Sequence, residues 1–151
     1  MLVPLSWLKQ YIEINLPPRQ IAHLLTMAGV EVADYQEIGG HLDDNKFIVG
    51  EIIKIEPHPN ADRIKLPVVN IGAEATVQVV CGAPNIREGQ KIAFAKLGAK
   101  VFNTRTEKVE QLREANIRGV KSQGMICSVK ELGIGDDHEG IMELDDSTEI
   151  G

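Results

Sequence analysis

Cysteine, aromatic residues and long apolar runs are all scarce in this chain of 151 residues. Its two cysteines, Cys81 and Cys127, stand far apart with no C-x-x-C spacing. That excludes a disulfide framework and a thiolate metal knuckle, and fits reduced thiols. No stretch approaches the roughly 20 apolar residues that span a bilayer. The opening, MLVPLSWLKQ, has neither a basic cluster ahead of an apolar stretch nor a small-residue cleavage site, so no secretory signal is read there. No membrane partner is expected, and a cytoplasmic location follows by default. Of the few aromatics, Phe47, Phe94 and Phe102 each fall inside an apolar run, which places them in a core rather than on a platform for stacked bases.

The signatures of a reaction centre are missing too. There is no G-x-S-x-G, no GKS/T phosphate loop and no G-x-G-x-x-G, and Gly133-Ile134-Gly135 is too short to cradle a phosphate by itself. His23, His41, His58 and His138 are scattered without an H-x-x-x-H pair, so no metal site is expected. Cys81 in VVCGAPN has Arg87 nearby but no base supplied by any pattern; burial in a strand is the expectation. Asp136 and Asp137, ahead of His138 and flanked by Gly135 and Gly140, read as a solvated loop. No catalytic residue and no cofactor are assigned to this chain.

What the chain does have is charge set out unevenly. The net charge is −6, which taken alone argues against a nucleic-acid binder. Residues 1–45 carry −4, residues 46–130 carry +6, and residues 131–151 carry eight acids with no Lys or Arg. The basic middle can meet phosphate while both ends repel it, although a solvated mixed surface gives similar counts.

The texture changes along the chain in the same places. Ser6 is placed as N-cap for WLKQYI, and after Pro17-Pro18 the run RQIAHLLTMAG sets Ile21, Leu24, Leu25 and Ala28 on one helical face before Gly29. VEVADYQEI (30–38) alternates like a strand, and GGHLDDN (39–45) reads as a linker. From Phe47 onward, runs at 47–56, 64–72, 76–82, 91–98, 98–102 and 113–119 are spaced like the strands of a small OB-type barrel. Pro67 inside the second run implies an edge or a bulge. Ser128 and Glu131 form a capping-box pattern that predicts a short helix ended by Gly133, and IMEL (141–144) is a candidate last strand.

Basic and polar residues gather at the ends of these runs. The first loop carries His58, Asn60, Arg63 and Lys65, and the second, GAPNIREG, carries Asn85 and Arg87. The third, IRGVKSQGMICS, carries Arg118, Lys121, Ser122 and Gln123 beside Gly119 and Gly124, with Met125 as a small apolar contact. On an OB-type barrel, Arg and Lys take phosphates, while Asn, Gln and Ser read sugar hydroxyls or unpaired base edges. Each has a structural alternative: Asn60 and Asp62 as turn residues, Gly119 and Gly124 as bends.

Three blocks, KIEPHPNADRIKLPVVNIG, VVCGAPNIREGQKIAFAKLGA and IRGVKSQGMICSVKELGIGDDHEGIMEL, resemble in order and spacing a tRNA-binding OB domain. That domain is shared by stand-alone tRNA-binding proteins, the methionyl synthetase C-terminal extension and the bacterial phenylalanyl-tRNA synthetase beta chain. The block SWLKQYIEINLPPRQIAHLLTMAGVEV is similar to the start of the beta chain. The resemblance implies a mainly β fold with a small α part: residues 1–39 as the first part of a mixed α/β domain, then a five-stranded Greek-key OB barrel over 40–151. It carries over to His58, Asn60, Asp62, Arg63 and Asn85, and to Ser122, Gly124, Met125, Cys127 and Ser128, whose S-x-G-M block lies on the family's tRNA face. Gln123 stands where Glu is frequent, and Pro67 where Cys or another strand residue is common.

The implied whole is a two-alpha, two-beta enzyme that attaches phenylalanine to tRNA using ATP and magnesium, with the reaction site in the alpha subunit. This chain is then an N-terminal fragment without activity, with tRNA and the alpha subunit as partners. Two alternatives stand beside it: an OB domain that mainly packs subunits, and a stand-alone dimeric tRNA-binding protein.

Overall fold

The computed structural model describes residues 2–36, 38–39, 42, 45–73 and 75–151. Outside them lie His41, most of the expected 39–45 linker, and Glu37 of the expected 30–38 strand. The chain forms two compact units, Met1–Glu37 and Ile38–Gly151.

The first unit holds α1 (Leu5–Leu8) and α2 (Pro18–Met27). Ser6 lies inside α1 and Pro4 takes the N-cap position, so the expected serine cap is not made. Pro18 opens α2, where its fixed φ suits the first turn and no N–H is missed. Gly29 closes it at φ +91, with its N–H donating to Thr26 O (3.1 Å) and that of Val30 to Leu25 O (2.9 Å), a Schellman stop. The expected strand over 30–38 does not form among the described residues. Its alternation defines two faces, but a strand also needs a neighbouring edge to take its N–H and C=O groups. Ile12, Leu24 and Leu25 remain exposed.

The second unit is built from β1 (Phe47–His58), β2 (Ala61–Asn70), β3 (Thr76–Gln78), β4 (Lys91–Lys96), β5 (Lys100–Asn103), β6 (Lys108–Gln111), β7 (Ala115–Ile117), β8 (Val120–Ser122) and β9 (Gly124–Ile126). Five strands make one antiparallel sheet in the order β3-β2-β1-β4-β9; β5-β6 and β7-β8 are separate hairpins. β1 is long because it serves two partners. Its first half pairs with β4, from Phe47↔Ala95 to Glu51↔Lys91, and its second half with β2, from Glu51↔Asn70 to His58↔Ala61.

This is the expected mainly β, OB-like architecture, but its ring is not completed by a ladder. The end of β3 and the chain just ahead of β9 meet through a seam: Gln123 N–H donates to Gln78 O at 3.2 Å, and Val80 N–H to Ser122 Oγ at 3.1 Å. Pro67 explains why β3 stops. Its carbonyl accepts from Val79 N–H at 3.0 Å, but without an N–H it cannot return the bond. Pro67 lies buried in the internal strand β2, not at an edge, next to a register shift around Ile53.

Strand alternation divides the core. Ile92 and Phe94 of β4 join Ile52, Val69, Val79 and Ile126 on one side, while Ala93 and Ala95 face Ala99, Val101, Cys127 and Leu132 on the other. β4 is therefore covered on both faces, and each fully buried Ile or Phe contributes about 1.5–3 kcal/mol. Phe94 is fully buried; Phe47 and Phe102 are only half-buried. After Ser128 the capping box forms, with Ser128 N–H donating to Glu131 Oε2 (2.7 Å) and Glu131 N–H to Ser128 Oγ (3.2 Å). Only a turn follows, since Gly133 takes φ +65 before a helix can propagate. The expected strand at 141–144 is reduced to one bridge, Ile92↔Glu143.

Candidate nucleic-acid interface

The tips of two hairpins are latched together. Between β1 and β2, His58 is buried; its Nδ1 accepts the Asn60 N–H at 3.1 Å, so Nε2 bears the proton and donates to Ile117 O at 3.1 Å. Asn60 Nδ2 donates to Arg118 O at 3.1 Å, and Arg118 Nη1 donates to Asn60 O at 3.3 Å. The β7-β8 pair Ile117↔Val120 encloses Arg118 and Gly119, with φ +50 and +92. Two positive φ values in a two-residue loop define a I′-like turn whose twist matches the strands. Asn116 Oδ1 closes it by accepting the Gly119 N–H at 2.9 Å. Arg63 and Arg118, with Ala61, Asp62 and Ile64, line one open cleft beside the latch.

The S-x-G-M block serves the fold more than the surface. Ser122 is buried and donates to Gly124 O at 3.0 Å while receiving the Val80 N–H. Gly124 sits where a Cβ would overlap the Phe94 ring and lie 3.0 Å from Ala95 O. Met125 packs against the second core cluster, and Cys127 and Ser128 are buried. Desolvation raises both thiols, Cys81 and Cys127, above the ordinary cysteine value, which disfavours the thiolate form a nucleophile needs. Gln123 is exposed, as is Lys121, whose Nζ lies 3.1 Å from Glu114 Oε1.

The second loop is occupied by the acidic C-terminal segment. Asn85 acts as a backbone mimic: Nδ2 donates to Ile141 O (3.0 Å) and Oδ1 accepts the Ile141 N–H (2.9 Å). Arg87 Nη1 lies 2.7 Å from Glu143 Oε2. Their mutual hydrogen bond raises the guanidinium's pKa and lowers that of the carboxylate. The backbone continues the docking, with Leu144 N–H donating to Lys91 O and Gly151 N–H to Val49 O, both at 3.0 Å.

Of the sequence-selected residues, His58, Ser122, Gly124 and Ser128 are buried and Lys65, Asn85 and Met125 half-buried. The structure brings Asn60, Arg63 and Arg118 together at the latched tips. Lys121 lies on the same β7-β8 hairpin, opposite Asn116, and Gln123 marks the sheet seam. Sequence reasoning missed Asn116 and Ile117; an Asn three residues before a Gly was the available signal for the first.

Arg63, Arg118 and Asn60 thus meet on hairpin tips beside an OB-like sheet. Residues 47–151 match the family described as "Putative tRNA binding domain", and the chain belongs to that family. Over all 151 residues it is 46% identical to the phenylalanine–tRNA ligase beta subunit of Protochlamydia amoebophila. It is 41% identical over 154 aligned positions to that of Salinibacter ruber, covering 99% of this chain. The chain spans 18% of the length of each of these curated relatives. Among solved structures, a MetRS related protein from Pyrococcus horikoshii aligns with 70% of this chain and 85% of its own, at 18% identity and TM-score 0.49.

Proposed function

We propose that the chain is an accessory tRNA-binding module of a phenylalanine–tRNA ligase beta subunit, working in the cytoplasm and binding tRNA through phosphate contacts without chemistry of its own. The observation that carries the reading is the match of the whole chain to that subunit at 46% identity, together with its family membership over 47–151. In this reading phenylalanine, ATP, magnesium and an alpha subunit belong to the larger assembly, and this module adds only RNA affinity. The exposed cations at the tips support weak, salt-dependent and sequence-tolerant binding, because few phosphates can be met at once.

Titration of labelled tRNA at low and high salt tests it. Wild type binds at low salt, and Arg63→Glu and Lys121→Glu each weaken binding, Arg63→Glu by about tenfold because one attraction becomes a repulsion. Binding indifferent to both changes removes the tips as the contact surface, and absence of binding at low salt counts against the reading. Such absence would favour a packing role, for which the internal engagement of Asn85, Ser122 and Ser128 is the supporting observation.

A further inference from the structure

We infer that the latched tips form a phosphate clamp for RNA, with Arg63 and Arg118 as its two contacts and Asn60 as the residue that positions Arg118. The inference deepens the tRNA-binding reading and rests on it. Arg118 occupies the first central position of a two-residue turn, at φ +50, where Asn, Asp and Gly are favoured and a long side chain is strained. Strain of that kind clusters at functional positions, and Arg118 is exposed at the tip. Arg63 shares its cleft. Neither arginine has an ion-pair partner among the described residues, so neither has to give one up to meet a phosphate.

The latch supplies the geometry. One guanidinium nitrogen of Arg118 is held on Asn60 O and Asn60 Nδ2 holds the Arg118 carbonyl, so the side chain is anchored while its remaining N–H donors stay available. A planar fork in a fixed orientation suits the paired oxygens of a phosphate diester. Asp62 lines the same cleft and opposes an anion there. It sets the sign of one further variant.

The test is titration of the 151-residue chain with a labelled tRNA transcript across about 20–200 mM salt, reading the slope of log K against log salt. R63Q and R118Q are each expected to reduce that slope by about 0.7–0.9, the loss of one phosphate contact. R118N gives the same binding loss but raises Tm, because Asn suits the left-handed position. This opposite response separates the clamp from simple misfolding. N60A weakens binding on its own yet adds nothing in an R118Q background, while D62N tightens binding about threefold at low salt. A chain that binds tRNA with its slope unmoved by R63Q and R118Q overturns the clamp alone, and weakening by D62N overturns the phosphate assignment. A wild type that binds no tRNA at low salt overturns the tRNA reading and the clamp together.

Discussion

Gly124 illustrates how a residue in a recognition motif can be required for packing. A Cβ there would collide with the Phe94 ring and press on Ala95 O across the β4-β9 pairing. Gly124→Ala is expected to cost about 1–3 kcal/mol of stability as an overpacked core. A thermal melt should show Tm lowered by roughly 2–12 °C; an unchanged Tm would mean that β9 yields freely. Residue identity made the candidate set legible but not its exposure. His58, Ser122 and Ser128 look from the sequence like polar groups awaiting a ligand, yet Ile117 O, Gly124 O and Glu131 satisfy them internally. The Ser128 partner was legible as a capping box, whereas Ile117 lies far along the chain from His58 and the turn that brings Gly124 O to Ser122 has no local signature. Arg63 and Arg118 were legible as basic residues, but their common cleft depends on the bonds that His58 and Asn60 make between two hairpins.

At the scale of elements, the strands with apolar alternation were legible, and β1, β2 and β4 form where FIVGEIIKIE, IKLPVVNIG and KIAFAKLG predict them. β6 was not, because all four of its residues are exposed and KVEQ offers no buried face to read. β8 and β9 were hidden by their length of three residues each. The segment 141–144 was expected as a strand; it docks through one bridge and a few backbone bonds, with the side chains of Asn85 and Arg87 adding to them. Arg87 lowers the pKa of Glu143 chiefly by hydrogen bonding, with Asn85 among the lesser contributors. A carboxylate with a depressed folded-state pKa contributes stability that is complete above its unfolded pKa and lost as pH falls through the folded value. Docking of this segment should therefore hold at neutral pH and loosen only below the ordinary carboxylate range. Carboxyl titration by NMR should find Glu143 titrating below the ordinary glutamate value, and Arg87→Gln should move it back toward that value.

At the scale of the molecule, the net charge of −6 and the proposed RNA affinity must coexist. Part of the answer is where the acids are held. Residues 141–151 carry Glu143, Asp145, Asp146 and Glu149, and this segment is bonded to Asn85, Arg87, Lys91, Cys127 and Val49. None of those bonds reaches Asn60, Arg63 or Arg118. The acids then act on a bound polyanion through the field of the whole protein, not by covering the tips. A field effect is limited by screening: its reach is about 30 Å at 0.01 M salt and about 8 Å at 0.15 M. Neutralising Asp136, Asp146 and Glu149 together, by change to Asn, Asn and Gln, should strengthen tRNA binding about three- to tenfold at 0.01 M salt, by removing three repelling charges. At 0.15 M the gain should nearly vanish, while the loss caused by Arg63→Gln remains measurable because that arginine would touch its phosphate. If the gain from neutralisation survived undiminished at 0.15 M, the acidic segment would have to leave its docking groups and compete directly for the tips.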